Sequence, residues 1–299
     1  MFKLKSSKMN KIAVCLYGQY RTGDYVLPFI AKQFEHENVD VDFFCSFKDF
    51  NTYERNKTYQ ENTSSANEKE FIDVEATSEY IKKILKPTII RPMNPPRRDK
   101  QRYKVSNMLS GIVESLSLKQ RHELKTNTQY DFVFLLRYDV LFNDGAVKQM
   151  LDKLRGLNSE ELFSLTRTNN ECLYTTYISY PQPHSELNLY TPIQDLFFAG
   201  SSLAFDLMVT AYENMLVMNN QEHAILDYYT DGHVIHNIAC NECGVVPMDI
   251  NTVLGINVHW ACVRSDFDLS LDVHLESTLS AANDHWRKSS VHVREIRYD

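Results

Sequence analysis

With 299 residues the chain is long enough to bury a substantial core, as one α/β unit with or without a small appendage. Its 43% hydrophobic and 24% charged content excludes disorder, and a formal net charge of −7 argues against a protein that coats nucleic acid, because backbone binding draws on many Lys and Arg contacts. The cysteines Cys15, Cys45, Cys172, Cys240, Cys243 and Cys262 are scattered, mostly in apolar surroundings, so they read as reduced thiols rather than a disulfide framework. The basic N-terminus runs straight into KIAVCLYG, too short and too soon interrupted for a signal peptide or a membrane span, and the expectation is a cytoplasmic protein.

Ile12 to Leu16 predicts a first strand, followed at once by the loop YGQYRTGDY. Gly18 permits a tight turn there and Arg21 supplies a fixed positive charge. The Gly18 to Gly23 spacing imitates a phosphate-binding P-loop, but Asp24 and Tyr25 stand where that motif needs Lys and Ser or Thr, so the P-loop reading fails. A helix over Tyr25 to Phe34 and a strand over Val41 to Cys45 complete the opening of a parallel sheet. Phe47 to Glu70 is polar and aperiodic and predicts a long loop, then come a helix over Ser78 to Leu85 and a strand over Thr88 to Ile90. After Pro92, Pro95 and Pro96 the run Arg97, Arg98, Lys100, Arg102, Lys104 is the one dense basic segment, either a solvated turn or a contact for a polyanionic acceptor.

Apolar residues from Val105 to Leu116 recur at three- and four-residue steps, predicting an amphipathic helix over Tyr103 to Leu124. That helix feeds YDFVFLLRYDVLFN, whose run Phe132 to Leu136 reads as a strand covered on both faces and ending in charge at Arg137 and Asp139. An Asp at such an end can hold a divalent metal and an Arg can take a pair of phosphate oxygens, a combination that suits a nucleoside diphosphate. The same two residues also suit a purely structural ion pair.

Further on the pattern predicts a helix over Ala146 to Leu154, strands over Leu162 to Leu165 and Leu173 to Tyr177, and a Pro- and Tyr-containing loop through Tyr190. Asp195 then precedes an apolar strand and the small-residue turn at Gly200, so it is either a general base or an acid capping a turn, while Gly200 would let a ligand approach backbone amides. Helices over Phe205 to Met218 and Glu222 to Ile238 follow, the second leading from His233 and His236 to Cys240 and Cys243. A continuous helix there would spread these four over roughly 15 Å, too far for one zinc ion, and favours a half-buried face. Gly244 to Pro247 and Thr252 to Ile256 read as late edge strands, and the basic, aromatic tail is left without a place.

Taken together, KIAVCLYGQYRTGDY, VDFFCSF, RYKVSNMLSGIVESLSLKQ before QYDFVFLLRYDVLF, and DLFFAGSSLAFD resemble, in that order, a family of viral, phage and bacterial glycosyltransferases with the GT-A arrangement. The resemblance implies a GT-A-like, Rossmann-like α/β fold with a mixed, mostly parallel sheet flanked by helices. It places the catalytic domain at 1–256, with a donor half to about 145 and an acceptor half after it, and leaves 257–299 as an extension on the same domain. It implies transfer of a sugar from a nucleoside diphosphate donor, UDP before GDP, to a glycan or to a hydroxylated base in phage DNA. Tyr17, Gly18, Gln19, Arg21 and Thr22 would surround the nucleotide, Arg137, Asp139 and Gly200 would complete the donor site, and Asp195 would act as general base near the acceptor hydroxyl. Where the family carries DxD this chain has Arg137-Tyr138-Asp139, so Asp139 holds Mn²⁺ or Mg²⁺ with help from elsewhere, or Arg137 replaces much of the metal's charge. The incomplete triplet also permits a non-catalytic module that keeps a nucleotide or sugar pocket.

Overall fold

Strands that are apolar at every position can exist only where both faces of a sheet are covered, and that condition shapes this molecule. The computed structural model describes residues 11–53, 68–93, 103–143, 145–156, 170–175, 193, 197–220, 232–256, 258 and 260–262. Strand β1 (Lys11–Tyr17) lies in parallel between β2 (Asp40–Lys48) and β6 (Phe132–Arg137), and β5 (Ile89–Met93) adds in parallel outside β2. The chain thus builds outward from β1 to β5 and then returns to the other side of β1 for β6. This reversal leaves a crevice beyond the carboxyl ends of β1 and β6, the place where open α/β sheets bind ligands.

Past β6 the sheet continues with β9 (Phe197–Gly200), β8 (Cys172–Thr175) and β10 (Val246–Asp249), giving seven strands. Strand β9 is antiparallel to both of its neighbours, whereas β8 and β10 are parallel, so the sheet is mixed and mostly parallel as expected. Strands from both halves of the chain share this one sheet. Two ribbons stand apart from it: β3 (Phe50–Tyr53) with β4 (Glu68–Phe71), and β7 (Val140–Phe142) with β11 (Trp260–Cys262), both antiparallel. The stretch expected to be a loop from Phe47 to Glu70 therefore carries the end of β2, all of β3 and most of β4.

Alternation along the strands sorts the core into two layers. Ile12, Val14, Leu16 and Phe134 pack beneath α1 (Gly23–Gln33) and α2 (Val74–Leu85). On the other face Ala13, Cys15, Val133 and Leu135 meet α3 (Tyr103–Thr126) and α5 (Ser202–Asn220). Helices α4 (Ala146–Gly156), α6 (Gly232–Cys243) and α7 (Ile250–Leu254) complete the described set, and no described helix is long and apolar enough to cross a membrane. Helix α2 starts a turn earlier than its apolar pattern suggests because the Asp73 carboxylate accepts the Ala76 N–H at 3.0 Å. A strand over Thr252 to Ile256 is likewise overturned: Asp249 caps the Thr252 N–H at 2.8 Å and Gly255 closes the turn at φ 60°, so two caps override the β-branched pair Thr252 and Val253. The expected strand at Leu162 to Leu165 and the loop through Tyr190 lie outside the described residues.

Pro28 sits inside α1 and cannot donate to the Asp24 carbonyl one turn back; the Tyr80 hydroxyl of α2 donates to that carbonyl instead, at 2.8 Å. The inward stripe of α3 runs from Leu109 through Ile112 and Leu116 into Lys119, which is fully buried. Its ammonium is held by Glu123 at 2.9 Å and Asp206 at 2.8 Å, and Glu123 also accepts from the Tyr130 N–H and the Ser202 hydroxyl. This knot ties α3 to α5 and to the approach to β6. Truncating the lysine leaves carboxylates facing the core without their counter-charge, so Lys119→Ala is expected to destabilise the fold by about 3 kcal/mol in urea unfolding. A loss below about 1 kcal/mol would show that the knot is dispensable.

Candidate functional site

The site is built where β1, β2 and β6 end together. After Tyr17 the chain turns at Gly18, whose φ of 101° is open to glycine and strained for other residues. The Gly18 carbonyl accepts the Lys48 N–H from the end of β2 at 3.0 Å, which clips the loop to that strand. Tyr20 then inserts its ring against Tyr138, with centroids 5.7 Å apart, and its hydroxyl donates to Asp24 at 2.5 Å. Burial and that carboxylate together push the Tyr20 phenol far up from its ordinary value. Room for the ring depends on Gly23, because a Cβ there would stand 2.3 Å from a Tyr20 ring carbon.

Between these anchors Arg21 adopts a left-handed backbone with φ 42°, sparsely populated for a non-glycine residue. The turn sends its guanidinium across the crevice: Nε donates to Gln19 Oε1 at 2.9 Å and Nη1 to Asp139 Oδ2 at 2.9 Å. From β6, Arg137 grips the same carboxylate in bidentate fashion, Nε to Oδ1 at 3.0 Å and Nη2 to Oδ2 at 2.6 Å. Asp139 is 1% exposed, while each guanidinium side chain keeps 18% exposure toward the crevice. Residues 118 apart in sequence thereby form one cluster.

A third cation stands beside them. Lys48 is 5% exposed and has no carboxylate partner among the described residues; its nearest aromatic contact is the Phe50 ring at 6.0 Å from the ammonium. Burial first, and then the charges of Arg21 and Arg137, push its pKa from 10.5 down to about 7. Two guanidiniums share one acid at the carboxyl ends of parallel strands and Lys48 adds its charge nearby, an arrangement that attracts anions and repels metal cations. Both oxygens of Asp139 already accept guanidinium hydrogen bonds, and no group of three His, Cys, Asp or Glu side chains converges among the described residues. As they stand, these residues do not fit a divalent ion.

Of the residues singled out in the sequence, Gly18, Gln19, Arg21, Arg137 and Asp139 are brought together. Tyr17 is in register with Arg137 but is 1% exposed within the core on the α3 side, and Thr22 is buried with its carbonyl accepting the Tyr25 and Val26 N–H groups of α1. Gly200 does not join them. It pairs with Val133, four residues and roughly 13 Å down β6 from Arg137, because β9 runs antiparallel and carries its last residue away from the crevice. Its lack of a side chain serves packing, since a Cβ would press on the Cys172 carbonyl at 2.8 Å. Asp195 lies outside the described residues; Phe197, the first residue of the strand that follows it, pairs with Leu136. The Cys240 and Cys243 thiols both contact the Met208 sulfur at 3.6 Å on a helix that continues through Cys243, the half-buried face that the spacing favours. No protein-family model matches the chain, and no curated protein matches it either.

The buried lysine makes stability depend on pH with a definite sign. The unfolded chain keeps a proton on Lys48 to about pH 10.5 and the folded protein only to about 7, so folding releases a proton in that window and this contribution to stability rises with pH across it. Lys48→Met should remove that slope and raise stability at pH 7 by about 1–4 kcal/mol. Urea unfolding of both proteins at pH 7 and 9.5 checks it, and identical pH dependence in the two would contradict it.

Proposed function

We propose that this cluster holds the diphosphate of a nucleotide-sugar donor and that the protein is a glycosyltransferase moving the sugar to a hydroxyl acceptor. The observation that carries the reading is the pair of guanidiniums, one from the first loop and one from the RYD turn, sharing a single buried carboxylate in the crevice between β1 and β6. When the bond from the anomeric carbon to the diphosphate oxygen breaks, negative charge grows on the leaving nucleoside diphosphate. Preorganised guanidiniums in a water-poor site stabilise that charge without reorganising. Arg137 is the residue proposed to do most of this, with Arg21 closing on the other side and Asp139 positioning both. In this reading the cations perform the task that the resemblance assigns to Mn²⁺ or Mg²⁺.

Asp195 is retained as the proposed general base, taking the acceptor's proton as the hydroxyl oxygen bonds to the anomeric carbon. The acceptor is a glycan or a hydroxylated base in phage DNA; the bulk of the basic run that would track phosphates, Arg97 to Arg102, lies outside the described residues. The free thiols Cys15, Cys45, Cys240 and Cys243 support a cytoplasmic setting. A second reading, a nucleotide-sugar-binding module without turnover, draws its support from the RYD triplet, which supplies one acid where the family supplies two.

Incubation with a panel of nucleotide sugars, UDP-sugars first, and scoring of free nucleoside diphosphate separates the two. Turnover is expected, it should survive EDTA, and Arg137→Ala should lower it by about 10²–10³-fold with the fold intact. Donor binding without release would establish the binding module, and activity lost in EDTA but restored by Mn²⁺ would overturn the metal-free form of the proposal. Asp139→Asn should abolish most turnover by releasing both guanidiniums from their fixed positions, and full activity in that variant would move the phosphate site elsewhere.

A further inference from the structure

The lysine that closes β2 is held in place by its surroundings and meets no counter-charge among the described residues. Along β2 the side chains of Phe44, Ser46 and Lys48 fall on the same face, and Phe44 belongs to the core under α3. The Lys48 backbone is fixed on both sides, by its N–H on the Gly18 carbonyl at 3.0 Å and by its register with Met93 of β5. One step deeper on the same face the Ser46 hydroxyl is fully buried with no hydrogen-bond partner among the described residues. Two successive inward polar positions at the crevice end of β2 are thus buried without a polar partner for their side chains among the described residues.

Among the described residues, the groups around the ammonium are cationic or neutral except Asp139, which both arginines hold. Arg21 comes from the loop after β1 and Arg137 from β6, with Asp139 bonded by both; β5 contributes Met93 and β3 contributes the Phe50 ring. Ser106 to Gly111 of α3 carry no charge, and Asp49, next in the chain, turns its N–H to the Met93 carbonyl at 3.1 Å. An ammonium buried beside two guanidiniums is tolerable when an anion joins them.

Resting on the diphosphate reading above, we propose that Lys48 is a third cationic ligand of the bound diphosphate and that its protonation is coupled to binding. In the free protein the lysine loses half its protons near pH 7, through burial and then through the charges of Arg21 and Arg137. A diphosphate supplies the missing counter-charge, favours the ammonium, and so draws a proton from solvent when it binds above neutrality. Affinity then falls as pH rises above about 7, by at most tenfold per pH unit for one coupled proton.

The test is isothermal titration of the full chain with UDP and with inorganic pyrophosphate from pH 6.5 to 9, in two buffers of different ionisation enthalpy, for the wild type, Lys48→Met and Lys48→Gln. Wild type should take up a proton on binding at pH 8, whereas both variants should bind at least tenfold more weakly at pH 6.5 and lose that uptake. An unfolding midpoint of Lys48→Met at or above the wild-type value confirms that the fold is intact. Wild-type affinity and proton uptake in the variants, or no binding of either probe by the wild type, overturns the proposal. Sugar transfer unchanged in Lys48→Met refutes this role and leaves the glycosyltransferase reading standing. Lysine-dependent proton uptake with no transfer from any donor does the reverse.

Discussion

One shared carboxylate organises this protein. Asp139, almost wholly buried, is the point at which the loop after β1 and the end of β6 are held to each other, through Arg21 on one side and Arg137 on the other. Without it two guanidiniums would face each other across a crevice of low dielectric, where like charges repel far more than in water. With it they are fixed, aligned and still in excess. The strained backbone of Arg21, the Gly18 turn and the wedge of Tyr20 over Gly23 all serve to bring one charge to this spot. So much local constraint around a cationic surplus supports the proposed diphosphate site.

The two ends of the sheet show how differently the chain treats charge. At the amino ends of the strands Asp42 accepts from Tyr130 at 2.6 Å and from Thr88 at 2.7 Å and lies 3.5 Å from the Lys11 ammonium. Burial by itself would raise that carboxyl, but its hydrogen bonds and the lysine bring it below the ordinary value, as befits a satisfied structural acid. The buried knot of Lys119, Glu123 and Asp206 is similarly complete. At the carboxyl ends Lys48 has no such partner among the described residues. The contrast lies within one molecule and separates charge used for stability from charge held at a cost.

Much of this was legible in the sequence where a local signal and a tertiary role coincide. The all-apolar runs Ile12 to Leu16 and Phe132 to Leu136 announce covered parallel strands, and Arg137 and Asp139 at the end of the second announce a charged strand terminus. What escaped depends on strand direction and on partners distant in the chain. Gly200 looks like a ligand turn as long as DLFFAG is imagined running with its neighbours; once β9 runs against them, the glycine sits at the opposite end. A strand ending at Cys45 hides Lys48, whereas Ser46 and Phe47 continue the alternation and leave the lysine at the rim. Lys119 carries no local signal of burial, yet it stands three residues after Leu116 and seven after Ile112, on the inner stripe of the helix.

The most direct measurement is a crystal structure of the protein soaked with UDP. The account requires diphosphate oxygens within hydrogen-bonding distance of Arg21 and Arg137 in the crevice between β1 and β6. A diphosphate bound away from that crevice, with the two arginines still closed on Asp139, would contradict it.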